Sequence, residues 1–339
     1  MLSRSAFLHG HSAVRAATAR TASQLSTNGT RTSFQNIFVQ SRNSHYNSKS
    51  DDVNARPPVT IPQLRKLYKN KTPISMITAH DYISGMLADR AGVDMVLVGD
   101  SLAMVSMGHE STSEIDLNDM VYHTRAVSRG VKSSFLIADL PFGSYETSPE
   151  QAFDSAVKMI KKGNAQAVKI EGGKELYPTI KKLTDFGIPV VGHIGLTPQR
   201  QNALGGFRVQ GKTAKSAVEL LENALAIQEA GCFIMIIEAV PDKVGSLITE
   251  KLSVPTIGIG AGPGTSGQVL VQLDMLGGFD AFVPKFLKRY SNYLETNVNA
   301  IKTYSDEVKS HQFPSTEHTY SITDDEFAKF QDLVAKKGY

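Results

Sequence analysis

The chain is predicted to fold as one α/β domain, a (β/α)8 barrel, and three observations predict it. Eight short strand-like runs alternate with helix-length amphipathic segments after the Pro57-Pro58 pair, the pattern of repeated βα units around a parallel sheet. Gly92, Gly187 and Gly231 each follow a helical segment just before the next strand, where a left-handed residue ends a helix. The series also fills roughly the 250 residues that a TIM barrel takes.

The strand runs are expected at 74–79, 95–99, 135–139, 167–170, 190–194, 233–237, 256–260 and 281–283. Most are unbroken apolar stretches, as suits strands covered on both faces. Helices are expected over 116–129, 148–162, 174–186 and 213–230. Ser148-Pro149-Glu150 supplies an N-cap followed by proline in the first turn, and Gly163 is expected to stop the same helix. A doubly wound open sheet is the competing architecture, but it needs a glycine motif after the first strand, where Thr78-Ala79-His80-Asp81-Tyr82 stands. The glycine-rich segment 258–264 follows the seventh run instead, either as an anion site or as a tight βα turn. The barrel is bounded at 59–312, followed by an extension, 313–339, with a short helix at 324–336 capped by Thr323.

Composition excludes several classes. With 339 residues, 41% of them hydrophobic and 20% charged, the chain can bury a large core. Its net charge of +3 is uneven. Residues 1–50 carry Arg4, Arg15, Arg20, Arg31, Arg42 and Lys49 with no acid, which reads as a mitochondrial transit peptide or else a disordered tail. A matrix location is expected. Because the positive excess lies in that segment, no nucleic-acid surface is expected. No run approaches the roughly 20 apolar residues of a membrane span, so a soluble mature protein is expected. The single cysteine, Cys232, excludes an internal disulfide and begins an apolar run, which suits a core residue.

In a barrel the catalytic groups come from the carboxyl ends of the strands, where the βα loops converge on one mouth. Those ends supply Asp100, Asp139, Glu171, His193 and Glu238 on five consecutive strands. One acid after a strand often caps the next helix. Acids on four neighbouring strands are different, because gathered carboxylates repel unless a cation or proton compensates. Hard oxygen ligands with open positions suit Mg2+, which prefers one or two carboxylates plus waters and substrate oxygens. Lys169 and Glu171, two apart, lie on one side of their strand and point toward the barrel axis. Lys169 has a substrate carboxylate as its natural partner, or else an ion pair with Glu171 or Asp139. His193 is an accessory group, a proton carrier or a hydrogen-bonded wall of the pocket. His80 is read as structural, and Lys285 as touching a ligand or only the surface.

The segments 98–101 (VGDS), 138–145 (ADLPFGSY), 168–173 (VKIEGG), 192–199 (GHIGLTPQ), 204–207 (LGGF) and 257–262 (IGIGAG) resemble the ketopantoate hydroxymethyltransferase family, in order, from about Val59 to Tyr290. The resemblance implies a phosphoenolpyruvate/pyruvate-type barrel. It also implies transfer of a hydroxymethyl group from 5,10-methylenetetrahydrofolate to 3-methyl-2-oxobutanoate, giving 2-dehydropantoate for pantothenate and coenzyme A synthesis. By the same resemblance Asp100, Asp139 and Glu171 are the acids associated with Mg2+. Asp100, Ser101, Asp139 and Lys169 hold the 2-oxo acid, and Glu238 accepts the proton. A homo-oligomer is implied as well, the bacterial relatives being decamers. Ala103, Ser113-Glu114 and Ala239 depart from the family's usual residues, which bears on loop shape more than on any named group.

The competing enzyme reading is a Mg2+-dependent carbon–carbon lyase or mutase of the phosphoenolpyruvate-type barrels, whose lyases use a cysteine after a strand that this chain lacks. The reading outside enzymes is an inactive barrel kept as a scaffold, and no catalytic acid is missing to suggest it.

Overall fold

A computed structural model describes residues 56–280 and 283–339. The basic segment 1–50 lies outside the described residues, and so does the transit-peptide expectation. The described residues belong to one compact unit, 54–339.

Eight parallel strands close a barrel in sequence order. They are β1 (Ile74–Thr78), β2 (Met95–Val98), β3 (Phe135–Asp139), β4 (Ala167–Glu171), β5 (Val190–Gly195), β6 (Ile234–Glu238), β7 (Thr256–Ile259) and β8 (Gly267–Leu270). The helices in chain order are α1 (Ile61–Lys69), α2 (Tyr82–Arg90), α3 (Leu102–Val105), α4 (Leu117–Gly130), α5 (Pro149–Lys158) and α6 (Tyr177–Asp185). They continue with α7 (Gln201–Leu204), α8 (Ala214–Glu229), α9 (Asp242–Lys251), α10 (Gln272–Leu276), α11 (Tyr293–Lys309) and α12 (Asp324–Lys337).

Seven strands stand where the apolar runs place them. The eighth does not. The run at 281–283 is not β8: Val283 is outside any strand and 51% exposed, and residues 281 and 282 lie outside the described set. The barrel closes instead through Gly267–Leu270, which pairs with β7 and β1. This strand escapes an apolar-run search because it alternates, with Gly267 and Val269 buried and Gln268 exposed. It also follows β7 after only residues 260–266, too few for the helix expected between strands. The glycine-rich segment therefore forms the β7–β8 connection, with Gly260 and Gly262 at positive φ, and Gln268 Nε2 donates to the Gly262 carbonyl at 3.0 Å.

Helix ends follow the sequence closely. Ser148 Oγ accepts from the Gln151 amide at 3.1 Å, and Pro149 opens α5. That helix continues through a π turn, Met159–Gly163, and Asn164 rather than Gly163 takes the left-handed conformation that ends it. Gly163 is needed for a different reason, since a Cβ there would press on Thr124 and Met159. Gly92, Gly187 and Gly231 all have positive φ, as expected. Thr323 stands at the N-cap position of α12, without a side-chain capping bond. Neither α11 nor α12 buries a residue.

Strand parity decides what faces the axis. One apolar cluster fills the interior with Ile74, Met76, Met95, Leu97, Phe135, Ile137, Ala167, Val191, Ile234, Ile236, Ile257 and Val269, with Leu64 of α1 in the same cluster. Continuing two residues at a time along the inward face, Phe135 and Ile137 lead to Asp139, and Ala167 leads to Lys169 and Glu171. By the same step Val191 leads to His193, and Ile236 leads to Glu238. The interior thus changes from apolar to charged toward the carboxyl ends of β3 to β6. A second cluster, containing Val96, Val98, Val168, Ile170, Val190 and Ile237, packs the outer face against the helices.

Gly267 tests the closure. A Cβ there would lie 2.2 Å from the Ile74 carbonyl oxygen in the β1–β8 pair, a clash with backbone that cannot rotate away. Gly267→Ala is expected to destabilise the fold by about 1–3 kcal/mol, whereas Val283→Ala is expected to change it by less than about 0.5 kcal/mol. Urea unfolding of both variants measures this, and the opposite ranking would return the closing strand to 281–283.

Candidate active site

The inward-facing polar groups form one connected network. In β3 and β4, Asp139 and Lys169 are register partners, and Lys169 Nζ lies 3.2 Å from Asp139 Oδ2 and 3.2 Å from Glu171 Oε1. Glu171 and His193 pair in register across β4 and β5. His193 Nδ1 lies 3.1 Å from Glu171 Oε1 and 3.1 Å from Lys169 Nζ. On its other side His193 Nε2 is 3.2 Å from Glu238 Oε2. That contact is close but off-line, leaving Nε2 without an aligned hydrogen bond among the described residues, so it acts as an ion pair. Asp100, one residue beyond Gly99 at the end of β2, donates its backbone N–H to Asp139 Oδ2 at 3.0 Å. Ser101 stands at the N-cap position of α3. A Cβ on Gly99 would meet Ser101 Oγ at 3.2 Å and Asp139 Oδ2 at 3.7 Å, so these two side chains converge over the glycine.

The five polar groups expected from the strand ends, together with Lys169 and Ser101, are therefore brought to one rim. Asp100, Asp139, Lys169, Glu171 and His193 are buried, while Glu238 is partly open, its side chain 17% exposed. The alternative reading of Lys169, an ion pair with Asp139 and Glu171, describes its contacts here. His80 is confined to the β1 loop, its carbonyl accepting from His123 and its ring 3.7 Å from Asp81. Cys232 is buried and burial pushes its thiol up, out of nucleophile range.

Two further residues were not singled out from the sequence. Gln199 Nε2 donates to Asp100 Oδ2 at 2.7 Å and to the Leu140 carbonyl at 3.0 Å, and its backbone N–H donates to Glu171 Oε2 at 3.2 Å. Tyr145 OH donates to the Glu171 carbonyl and also meets Gln199 Oε1. Both lie inside segments whose resemblance to the family is noted above. Their uncharged side chains give no chemical signal of their own.

The charges are uneven. Four carboxylates (Asp100, Asp139, Glu171, Glu238) face two cationic groups, Lys169 and His193. Burial alone would lower the Lys169 ammonium, but Asp139, Glu171 and Asp100 outweigh it and keep the lysine charged. Burial would likewise raise Glu171, yet Lys169 and then His193 hold it down to about 2. His193 is pushed up to about 9, because Glu171 and the contacts to both glutamates overcome burial and the nearby lysine. Asp100 is left uncompensated: burial, then Asp139 and Glu171, drive it well above the usual carboxylate range. Burial also raises Asp139 against the pull of Lys169.

The residues fit a hard divalent cation on two grounds. Asp139 Oδ1 is a buried oxygen with no hydrogen-bond partner among the described residues, and four acids against two cations leave room for a doubly positive ion. Among the described residues no three His, Cys, Asp or Glu side chains form a ready metal cage. Mg2+ does not require one, since it keeps several waters and takes one or two protein carboxylates plus substrate oxygens.

The mouth above this network is a cavity of about 640 Å3 that Glu238 and Ser101 help to line, together with Thr112, Phe207, Asp274 and Lys285. Lys285 therefore reaches the cavity wall. The residue after Glu238, Ala239, adopts φ +47°, a strained left-handed conformation for a residue with a side chain. Two bonds fix it: the Ala239 amide donates to the Ile259 carbonyl, and its carbonyl accepts from the Gln210 amide.

The elevated basicity of His193 has a definite sign. A group whose folded value lies above its ordinary one stabilises the fold fully below the ordinary value, near 6.5, and loses that contribution as pH rises through about 9. Urea unfolding of the metal-free protein is expected to show stability falling across that window, with the fall absent in His193→Gln. An identical slope in both proteins would remove the charged imidazole from the network.

The chain is similar over most of its length to proteins of known family. Residues 58–316 match the ketopantoate hydroxymethyltransferase family. A 3-methyl-2-oxobutanoate hydroxymethyltransferase of Emericella nidulans is 56% identical over 293 residues, 86% of this chain and 84% of that protein. One from Moorella thermoacetica is 49% identical over 265 residues, 78% of this chain and 98% of that protein. In fold alone the chain is similar to phosphonopyruvate hydrolase, crystallised with oxalate and Mg2+, at a TM-score of 0.51 and 14% identity over 82% of this chain and 97% of that one. It is likewise similar to 2,3-dimethylmalate lyase of the PEP mutase/isocitrate lyase superfamily, at a TM-score of 0.51 and 16% identity over 83% and 97%. The expected barrel type is therefore the observed one, and the chain belongs to the ketopantoate hydroxymethyltransferase family.

Proposed function

We propose that this member of the family is a 3-methyl-2-oxobutanoate hydroxymethyltransferase that serves pantothenate synthesis and takes 5,10-methylenetetrahydrofolate as its one-carbon donor. The observation that carries the reading is Glu238, partly open on the wall of a large cavity and 3.2 Å from His193, beside a buried cluster that pairs Lys169 with acids. The rival lyase or mutase reading has only the fold in its favour.

The chemical task is to remove a proton from C3 of a 2-oxo acid, a carbon too weakly acidic to lose it to water. Lys169 supplies a fixed positive charge for the substrate carboxylate, and Ser101 with Asp100 and Asp139 frames its oxygens. Glu238 takes the C3 proton, and a positioned base of this kind gives about 10²- to 10⁴-fold. The C3–H electron pair then forms a new bond to the donor's one-carbon unit, whose carbon–nitrogen bonds to folate break. A water oxygen becomes the new hydroxyl. The C3 proton and one water proton finish on the folate nitrogens, and the other water proton stays on the hydroxyl. Mg2+ would be held among Asp100, Asp139 and Glu171, and when bound it supplies Lewis-acid stabilisation of negative charge on the keto oxygen.

The protein is further proposed to act as a homo-oligomer. Support comes from Val298, Ile301 and Tyr304 on α11 and Phe327, Phe330 and Leu333 on α12, all exposed, which suits contact with other copies. Import into mitochondria is proposed from the basic, acid-free segment 1–50. Among the described residues no helix is long and apolar enough to cross a membrane.

Two variants separate the roles. Glu238→Gln is expected to keep Mg2+ and oxo-acid binding but to lose at least 100-fold in exchange of the C3 proton with deuterated water, followed by NMR. Retained exchange would reject Glu238 as the base. Asp139→Ala is expected to weaken Mg2+ and oxo-acid binding together by tenfold or more in calorimetric titration. Unchanged Mg2+ affinity would remove Asp139 from the metal site.

A further inference from the structure

The cavity next to Glu238 is far larger than a five-carbon oxo acid needs. At about 640 Å3 it falls within the roughly 300–1,000 Å3 of sites that enclose drug-sized ligands. Ser101 and Glu238 join it to the reacting centre, and Phe207, Phe279 and Phe286 are among its apolar walls. One acid on that wall, Asp274, is used by nothing described so far. It lies on α10, directly after the closing strand β8.

Three properties set Asp274 apart. Its Oδ1 is shut off from water and has no hydrogen-bond partner among the described residues. It forms no ion pair among the described residues, although Arg289 is near enough to be felt. Burial outweighs Arg289 and pushes its carboxyl up to about 6. Oδ1 faces protein, so the other oxygen, Oδ2, which makes no hydrogen bond among the described residues, is the one left to take an N–H donor from a ligand in the cavity.

The proposed one-carbon donor presents such a group. The pyrimidine half of its pterin is flat, which suits aromatic walls, and its edge carries an exocyclic amino group beside a ring N–H. A carboxylate accepts from those donors through charge-assisted hydrogen bonds, roughly twice as strong as neutral ones.

We propose that Asp274 is the anchor for the pterin edge of the folate donor, in a subsite of this cavity. This rests on the hydroxymethyltransferase reading above. The rest of the donor then extends along the cavity toward Glu238, where its one-carbon unit meets the substrate's C3.

The test uses the full-length enzyme with Mg2+, as wild type and Asp274→Asn. In the variant the KM for 5,10-methylenetetrahydrofolate is expected to rise at least tenfold, while the KM for 3-methyl-2-oxobutanoate and the folate-free C3 deuterium exchange stay within twofold. Retained exchange also reports that the variant is folded. Binding of tetrahydrofolate is expected to weaken at least tenfold and binding of p-aminobenzoylglutamate, which lacks the pterin, to stay within twofold. An unchanged folate KM, or equal weakening of both probes, would overturn the assignment. So would loss of exchange in the variant, which would place Asp274 in support of the oxo-acid site. Absence of exchange in the wild type would instead overturn the hydroxymethyltransferase reading itself.

Discussion

The site depends on one buried ammonium. Lys169 sits 3.2 Å from both Asp139 and Glu171, and each of these acids in turn fixes another group. Asp139 accepts the Asp100 amide, and Glu171 accepts from His193 and Gln199. Placing charges in a low-dielectric interior costs several kcal/mol per ion unless they are paired. The lysine makes the inner acids tolerable, and the acids keep the lysine charged. Even so, compensation is incomplete: Asp100 is driven well above the usual carboxylate range, and Asp139 Oδ1 has no partner among the described residues. These two departures are what a divalent cation would relieve, and they are the protein's own support for the proposed metal.

The same barrel interior serves stability and chemistry at different depths. Strand parity puts Phe135, Ile137 and Ala167 below Asp139, Lys169 and Glu171 on one inward face. A dry apolar floor thus lies beneath the charged layer, where electrostatic interactions are stronger than in water. Glu238 is the exception among the acids. It ends β6 at the rim, partly open to the cavity and followed by a left-handed Ala239, a position that suits the proposed base.

Much of this was legible in the sequence because barrel strands covered on both faces leave plain apolar runs, and because a polar residue at the end of such a run has few structural explanations. Lys169 and Glu171 two apart within one run imply a shared inward face before any coordinates. The eighth strand was not legible: Gly267–Leu270 alternates in burial and follows β7 without a helix. Apolar content pointed instead to 281–283. Gln199 and Tyr145 were missed for another reason. An amide and a phenol at a loop carry no charge to flag them, and only the folded chain shows Gln199 linking Asp100 to Glu171. Nothing in the sequence separates Asp274 from other acids; only the folded chain puts it on the cavity wall.

We propose that Lys169 and the acids around it form a preorganised seat for a metal-bound 2-oxo acid facing Glu238. A crystal structure of the protein soaked with Mg2+ and 3-methyl-2-oxobutanoate tests it most directly. The expected result is an ion in contact with Asp139, the substrate carboxylate within hydrogen-bond reach of Lys169 Nζ, and the C3 hydrogen turned toward Glu238. An ion bound away from residues 100, 139 and 171, or an oxo acid seated with C3 turned from Glu238, would contradict it.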